Sequence, residues 1–123
     1  MEVKACCKFA KIGPRKTRLV ADLIRGESVP KALEILRTTR RRASEMIEKV
    51  VKAAVAAASD QHDVEAEDLR VAGVWVDEGP QRKTFWARPR GMWARKIHRT
   101  SHIHVVLSDE RPGAPEAAAA GEE

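Results

Sequence analysis

Apolar and polar positions alternate over residues 2–10 (EVKACCKFA), with Val3, Ala5, Cys7 and Phe9 on one side and Lys4, Cys6 and Lys8 on the other. That period predicts a strand. Residues 11–14 break it, and Pro14 suits the first turn of a helix, where its missing N–H has no partner to lose. Over residues 15–25 the period becomes helical: Leu19, Val20, Leu23 and Ile24 form an apolar stripe, and Arg15, Arg18, Asp22 and Arg25 share the other face. Gly26 can take the left-handed position that ends such a helix. Ser28 as N-cap and Pro30 behind it open a second, short helix, buried through Val29, Ala32, Leu33 and Leu36 and ending near Arg37 before Thr38 and Thr39. The third helix, residues 41–59, is the clearest element. Ala43, Met46, Ile47, Val50, Val51, Ala54, Val55 and Ala58 hold the 3.6-residue period, while Glu45–Lys49 and Glu48–Lys52 pair four apart on its outer face. Residues 60–68 (DQHDVEAED) are polar and read as a connection, with His62 a solvated loop residue. Residues 69–77 and 101–108 read as two further strands, Gly73 marking a bulge or close approach in the first.

Between those last strands runs GPQRKTFWARPRGMWARKIHRTSHIH, residues 79–104. It holds Arg82, Lys83, Arg88, Arg90, Arg95, Lys96 and Arg99 and no acid. The simplest joining is a hairpin arm too long to be a turn. Legs of roughly ten residues at about 3.3 Å each would reach about 30 Å, with the tip at Arg88-Pro89-Arg90-Gly91. Such an arm cannot bury its cations in its own core, since unpaired buried charge is too costly. A polyanion around it removes the difficulty, and binding would weaken with salt. Trp75 is expected to pack across strands at the arm's base. Phe85, Trp86 and Trp93 either stack on bases or pack within the arm. Elsewhere, Arg15, Arg18 and Arg25 could lie on phosphates or form an ordinary solvated face with an Arg18–Asp22 pair. Arg40, Arg41 and Arg42 open the third helix against its dipole, which favours anions there, and phosphate contact accounts for them better than a bland charge run.

With 123 residues, 43% hydrophobic, the chain has material for one domain with one small core. A net charge of +5 and a sequence pI of about 9.6 favour nucleic acid or an anionic membrane face. No apolar run approaches the roughly 20 residues of a membrane span, and no apolar signal-peptide region opens the chain. Adjacent Cys6 and Cys7 suit neither a structural disulfide nor a zinc site, and read as reduced thiols of a cytosolic protein. Residues 109–123 combine Pro, Gly, Ala and Glu without a core former, and are expected to form a disordered acidic tail behind a single domain of residues 1–108, with its extended hairpin over 79–101, that binds nucleic acid.

Catalytic chemistry finds little footing. His102 and His104 share a strand face, but no third metal ligand stands at a fitting spacing. The Ser101–His102 neighbours have no orienting acid nearby and no nucleophile elbow. No glycine loop cradles a phosphate. The chain reads as a non-enzyme, with no catalytic residue, metal or cofactor.

Four stretches carry a resemblance. They are Pro14-Arg15-Lys16-Thr17-Arg18-Leu19-Val20 with Ile24-Arg25-Gly26; Ala32-Leu33 with Leu36; Val76-Asp77-Glu78-Gly79-Pro80; and Arg88-Pro89-Arg90-Gly91 running to Arg99-Thr100-Ser101-His102-Ile103. The chain resembles the large-subunit ribosomal proteins of the L-twenty-two family, in bacterial or organellar form. The resemblance implies an α+β fold, three helices packed on a small antiparallel three-stranded sheet with a long protruding β-hairpin. It implies a structural constituent of the large ribosomal subunit that binds the subunit's rRNA, aids its assembly and lines the nascent-peptide exit tunnel with its hairpin. The implied partners are large-subunit rRNA, neighbouring ribosomal proteins and, at the tip, the nascent peptide, with no membrane and no obligate homo-oligomer. Implied RNA contacts fall on Arg15, Lys16, Arg18, Arg25, Lys83, Arg95, Arg99, Ser101 and His102; the charge pattern adds Arg40, Arg41, Arg42, Arg82, Lys96, Arg88 and Arg90. Tip duties fall on Arg88, Pro89, Arg90 and Gly91, with Met92 and Trp93 where the family has Arg-Ala. The competing reading is a free-standing DNA-binding protein that lays the ribbon in a groove.

Overall fold

The computed structural model describes residues 1–109. The expected tail therefore lies, Asp109 apart, outside the described residues. The elements are β1 (Glu2–Ala10), α1 (Pro14–Ile24), α2 (Val29–Thr38), α3 (Arg42–His62), β2 (Arg70–Glu78), β3 (Arg82–Ala87), β4 (Trp93–His98) and β5 (Ser101–Ser108). The sheet of the body is antiparallel in the order β1-β5-β2, and β3 and β4 form a separate two-stranded ribbon. One sheet face is dry. Ile103, Val105 and Leu107 of central β5 meet Val3 of β1, Val71, Val74 and Val76 of β2, and the buried stripe Ala43, Ile47, Val50, Val51, Ala54 and Ala58 of α3. This is the α+β architecture that the resemblance implies.

Three departures from the sequence pattern have local causes. The alternation of β1 places Phe9 in the core, yet Phe9 is 61% exposed and Ala10 is buried instead. The pairing shifts from Cys7↔Ile103 to Ala10↔Ser101. This bulge puts Phe9 at φ 59° and lets its amide donate to His102 Nδ1 at 3.1 Å. In α1 the buried stripe is Pro14, Thr17, Val20, Ala21 and Ile24, which leaves Leu19 and Leu23 half-exposed. Thr17 can be buried because its hydroxyl donates back to the Gly13 carbonyl at 3.0 Å, and small Ala21 allows close approach. Finally, α3 runs on through Asp60, Gln61 and His62, expected in the connection. These residues are exposed there, no Gly or Pro stops the helix, and it ends at Asp63, left-handed at φ 52°.

The outer edge of β2 is closed off. Gly26 N donates to Val71 O at 3.1 Å, Val71 N to Glu27 O at 2.9 Å and Val29 N to Leu69 O at 3.1 Å, so the α1–α2 connection covers its first half. Two arginines of α1 cover the second. Arg18 donates through Nε and Nη2 to Val76 O at 3.2 and 2.9 Å, and Arg25 through Nη2 to Val74 O at 2.7 Å. An edge sealed this way has no free row of carbonyls to recruit another strand.

The arm leaves the sheet at a narrow pivot. Gly79 N donates to Thr100 O at 2.9 Å, and the Thr100 hydroxyl donates to Pro80 O at 2.7 Å. A Cβ on Gly79 would overlap the Thr100 hydroxyl and stand 3.2 Å from its backbone carbon. Gly79→Ala is therefore expected to cost about 1–3 kcal/mol of overpacking, read as a lower urea midpoint of the full chain. Beyond the pivot each ribbon strand has six residues, shorter than the expected ten. Pivot and tip absorb the difference. The tip is a tight turn over Pro89–Gly91 with Arg90 at φ 62° and Gly91 at φ 70°, both left-handed, closed by Arg88 N donating to Met92 O at 2.7 Å.

Candidate nucleic-acid interface

The ribbon's register sorts the arm into two faces. Directly opposed residues share a face, so Arg82 with His98, Thr84 with Lys96 and Trp86 with Ala94 form one; Lys83 with Ile97, Phe85 with Arg95 and Ala87 with Trp93 form the other. On the first, Lys96 Nζ sits 4.9 Å from the Trp86 ring centre, a cation–π contact, and Thr84 Oγ1 donates to Lys96 O at 3.3 Å. On the second, Phe85 and Trp93 are each 73% exposed. Neither Trp86 nor Trp93 packs into the core. Both stand open on a cationic arm, Trp86 with Lys96 over its ring, and single-stranded nucleic acid is bound by such a combination of stacking and phosphate contact. Trp75 does what was expected of it: it stacks across strands on His104, rings 5.2 Å apart and 12° from parallel.

At the arm's root the fold gathers residues that are far apart in sequence. Lys11, Ile12, Gly13, Pro14, Arg15 and Lys16 lead into α1; Arg42 begins α3; Glu78 ends β2; Arg82, Ile97, His98, Arg99 and Thr100 belong to the arm and its pivot. Together they line an open cleft of about 920 Å³. Six cations face a single carboxylate there. Lys11 was missed in the sequence; its one signal was a lysine in the break between strand and helix.

Ion pairing is confined to other surfaces. Among the described residues the pairs are Arg25–Asp22, Lys31–Glu27, Arg37–Glu48, Lys49–Glu45, Lys52–Glu48, His104–Asp77 and the N-terminal amine with Asp109. The Lys52 ammonium, and after it the Arg37 guanidinium, holds the Glu48 carboxyl below its ordinary pKa; the N-terminal amine does the same for Asp109. Outward α2 and α3 are thus a self-neutralised solvent face. No cation of the cleft or the arm has a carboxylate partner among the described residues.

The remaining candidates fall in mixed places. Arg18 and Arg25 spend donors on β2, and Asp22 pairs with Arg25 at 2.6 Å, so the Arg18–Asp22 pair does not form. Arg18 and Arg25 are nevertheless exposed residues, and so are Arg40 and Arg41. His102 accepts from Phe9 N at Nδ1, which leaves Nε2 to carry the imidazole proton; the Phe9 ring meets it edge-on at 5.0 Å. His104 lies instead against Asp77 and Trp75. Ser101 is fully buried, and its hydroxyl has no partner within the described chain. It reaches no surface where RNA could touch it. Ser101→Ala should therefore shift stability by less than about 1 kcal/mol and leave RNA affinity unchanged, checked by melting and filter binding side by side.

Known proteins share this arrangement of sequence. The family model described as Ribosomal protein L22p/L17e matches residues 5–108. The chain is 45% identical over 113 residues to "Large ribosomal subunit protein uL22" of Halothermothrix orenii, covering 92% of this chain and all of that one. It is 46% identical to the protein of the same name from Desulforamulus reducens and 45% to that of Carboxydothermus hydrogenoformans, each over 113 residues with the same coverage.

Proposed function

Since the chain belongs to the ribosomal protein L22p/L17e family, we propose that it is a structural, non-catalytic constituent of the cytoplasmic large ribosomal subunit that grips large-subunit rRNA from its body and its arm. The observation that carries this reading is the segregation of charge. Cations of the helical face are matched by carboxylates, while those of the cleft and arm are matched by none among the described residues. A phosphate backbone supplies the missing anions.

In this reading Arg15, Lys16, Arg42, Arg82 and Arg99 meet phosphates at the arm's root, and Lys83, Arg95 and Lys96 meet them along the ribbon. Arg40 and Arg41 extend the contact over the start of α3, and Arg18, Arg25 and His102 contribute the donors that the protein leaves free. The body and arm together bridge RNA segments that must approach during assembly, with neighbouring ribosomal proteins against the rest of the surface. The tip, Arg88 to Trp93, lines the path of the nascent peptide.

Binding of the full chain to a large-subunit rRNA transcript and to duplex DNA of equal length, between about 50 and 200 mM salt, tests the reading. A clear preference for the transcript with steep salt dependence is expected. Equal affinity for the duplex would replace it with the β-ribbon DNA reader, and absence of affinity for either would remove it.

A further inference from the structure

Two features of the arm's root belong together. The arm joins the body through the pivot alone: Gly79, Pro80 and Thr100 make its only described backbone connections, and the ribbon and the body sheet are not one ladder. The cleft beside that pivot has one wall on the body, with Lys11, Arg15, Lys16 and Arg42, and the other on the arm, with Arg82 and Arg99. Like charges across an unfilled cleft push its walls apart, and a chain of anions laid between them draws the walls together. The amides at the starts of α1 and α3 reach the same wall with no side-chain cap on them. They add to an attraction that the cations already dominate.

We propose that this cleft is a clamp for one continuous stretch of RNA sugar–phosphate backbone, and that the phosphates seated in it set the angle of the arm to the body. The clamp rests on the rRNA-binding reading above and adds to it a specific seat and a mechanical consequence. RNA bound at the root orients the arm, so its far cations and aromatics are presented along one direction. The cleft is open and about 920 Å³, wide enough for backbone and too cationic for an apolar ligand.

The test compares the full chain with Arg15→Gln/Arg82→Gln/Arg99→Gln, which spans both walls. A control, Lys31→Gln/Lys49→Gln/Lys52→Gln, removes the same charge from α2 and α3. Affinity for the rRNA transcript is measured against salt, and melting confirms that each variant folds. In parallel, nitroxides at Met92→Cys and Ser59→Cys, in a Cys6→Ser/Cys7→Ala background, report the arm-to-body distance. The clamp predicts that the log–log salt slope falls by about 2–3 units in the cleft variant, three contacts at roughly 0.7–0.9 each, and is unchanged in the control. It also predicts that the transcript narrows the distance distribution of the parent and not of the cleft variant. An unchanged slope in the cleft variant, or narrowing that survives in it, would overturn the clamp while leaving rRNA binding intact. Narrowing by inorganic tripolyphosphate as complete as by the transcript would overturn the assignment to RNA backbone. Failure of the parent itself to bind rRNA would instead remove the functional reading beneath.

Discussion

Replacing Lys83, Arg88, Arg90, Arg95 and Lys96 together by glutamine should weaken binding to large-subunit rRNA by on the order of 10²–10⁴-fold near 0.1 M salt, and flatten its salt dependence. All five lie on the arm beyond the cleft, all are exposed, and none has a carboxylate partner among the described residues. Each phosphate neutralised releases condensed counterions, which at that salt contributes roughly a factor of three to six per contact. Five contacts then multiply to the stated range. The fold should not suffer, because these side chains bury nothing that the core needs; Lys96 alone loses its cation–π contact with Trp86. Filter binding over a salt series reads the effect, and a melting curve checks the fold. A change of less than tenfold would mean that the arm is not a principal RNA contact.

The second large effect is on stability. Ile103→Ala should cost about 2–5 kcal/mol, visible as a drop in urea midpoint with little change in slope. Ile103 is fully buried on β5, the central strand of the sheet, opposite Cys7 on one side and Val76 on the other, and in the core shared with the helices. Truncation there leaves a cavity between two strands and a helical layer, and the ladders on both sides of β5 keep the backbone from closing it. A small domain has about 5–15 kcal/mol in total, so the loss is a large part of the whole. The neighbouring position gives the contrast: His102, one residue earlier, faces the open side of the sheet.

How much of this could be read beforehand follows from the range of the forces involved. Central β5 and the start and face of α3 were legible because local periodicity and burial agree there. So was the tip, since Pro89 and Gly91 leave the chain few ways to turn. The end of β1 was not legible: the bulge that ejects Phe9 depends on how β1 meets His102 in a strand 93 residues away. The roles of Arg18 and Arg25 were hidden for a similar reason. A helix pattern shows a cationic face, but only the tertiary structure reveals that β2 presents Val74 and Val76 carbonyls to it. Ser101, an RNA contact only by the resemblance, is buried, because its place on β5 is fixed by pairing to Glu78 and Ala10. The cleft draws its cations from the β1–α1 connection, α1, α3 and the arm, and no spacing along the chain announces such a meeting.

The central claim is that the unmatched cations of cleft and arm are completed by large-subunit rRNA. Its most direct test is sedimentation of cell lysate through a sucrose gradient with a high-salt wash, probing for this chain. Comigration with large subunits through the wash is the predicted result, because an arm enclosed in RNA cannot be released by screening its outer contacts alone. Recovery at the top of the gradient would contradict the claim.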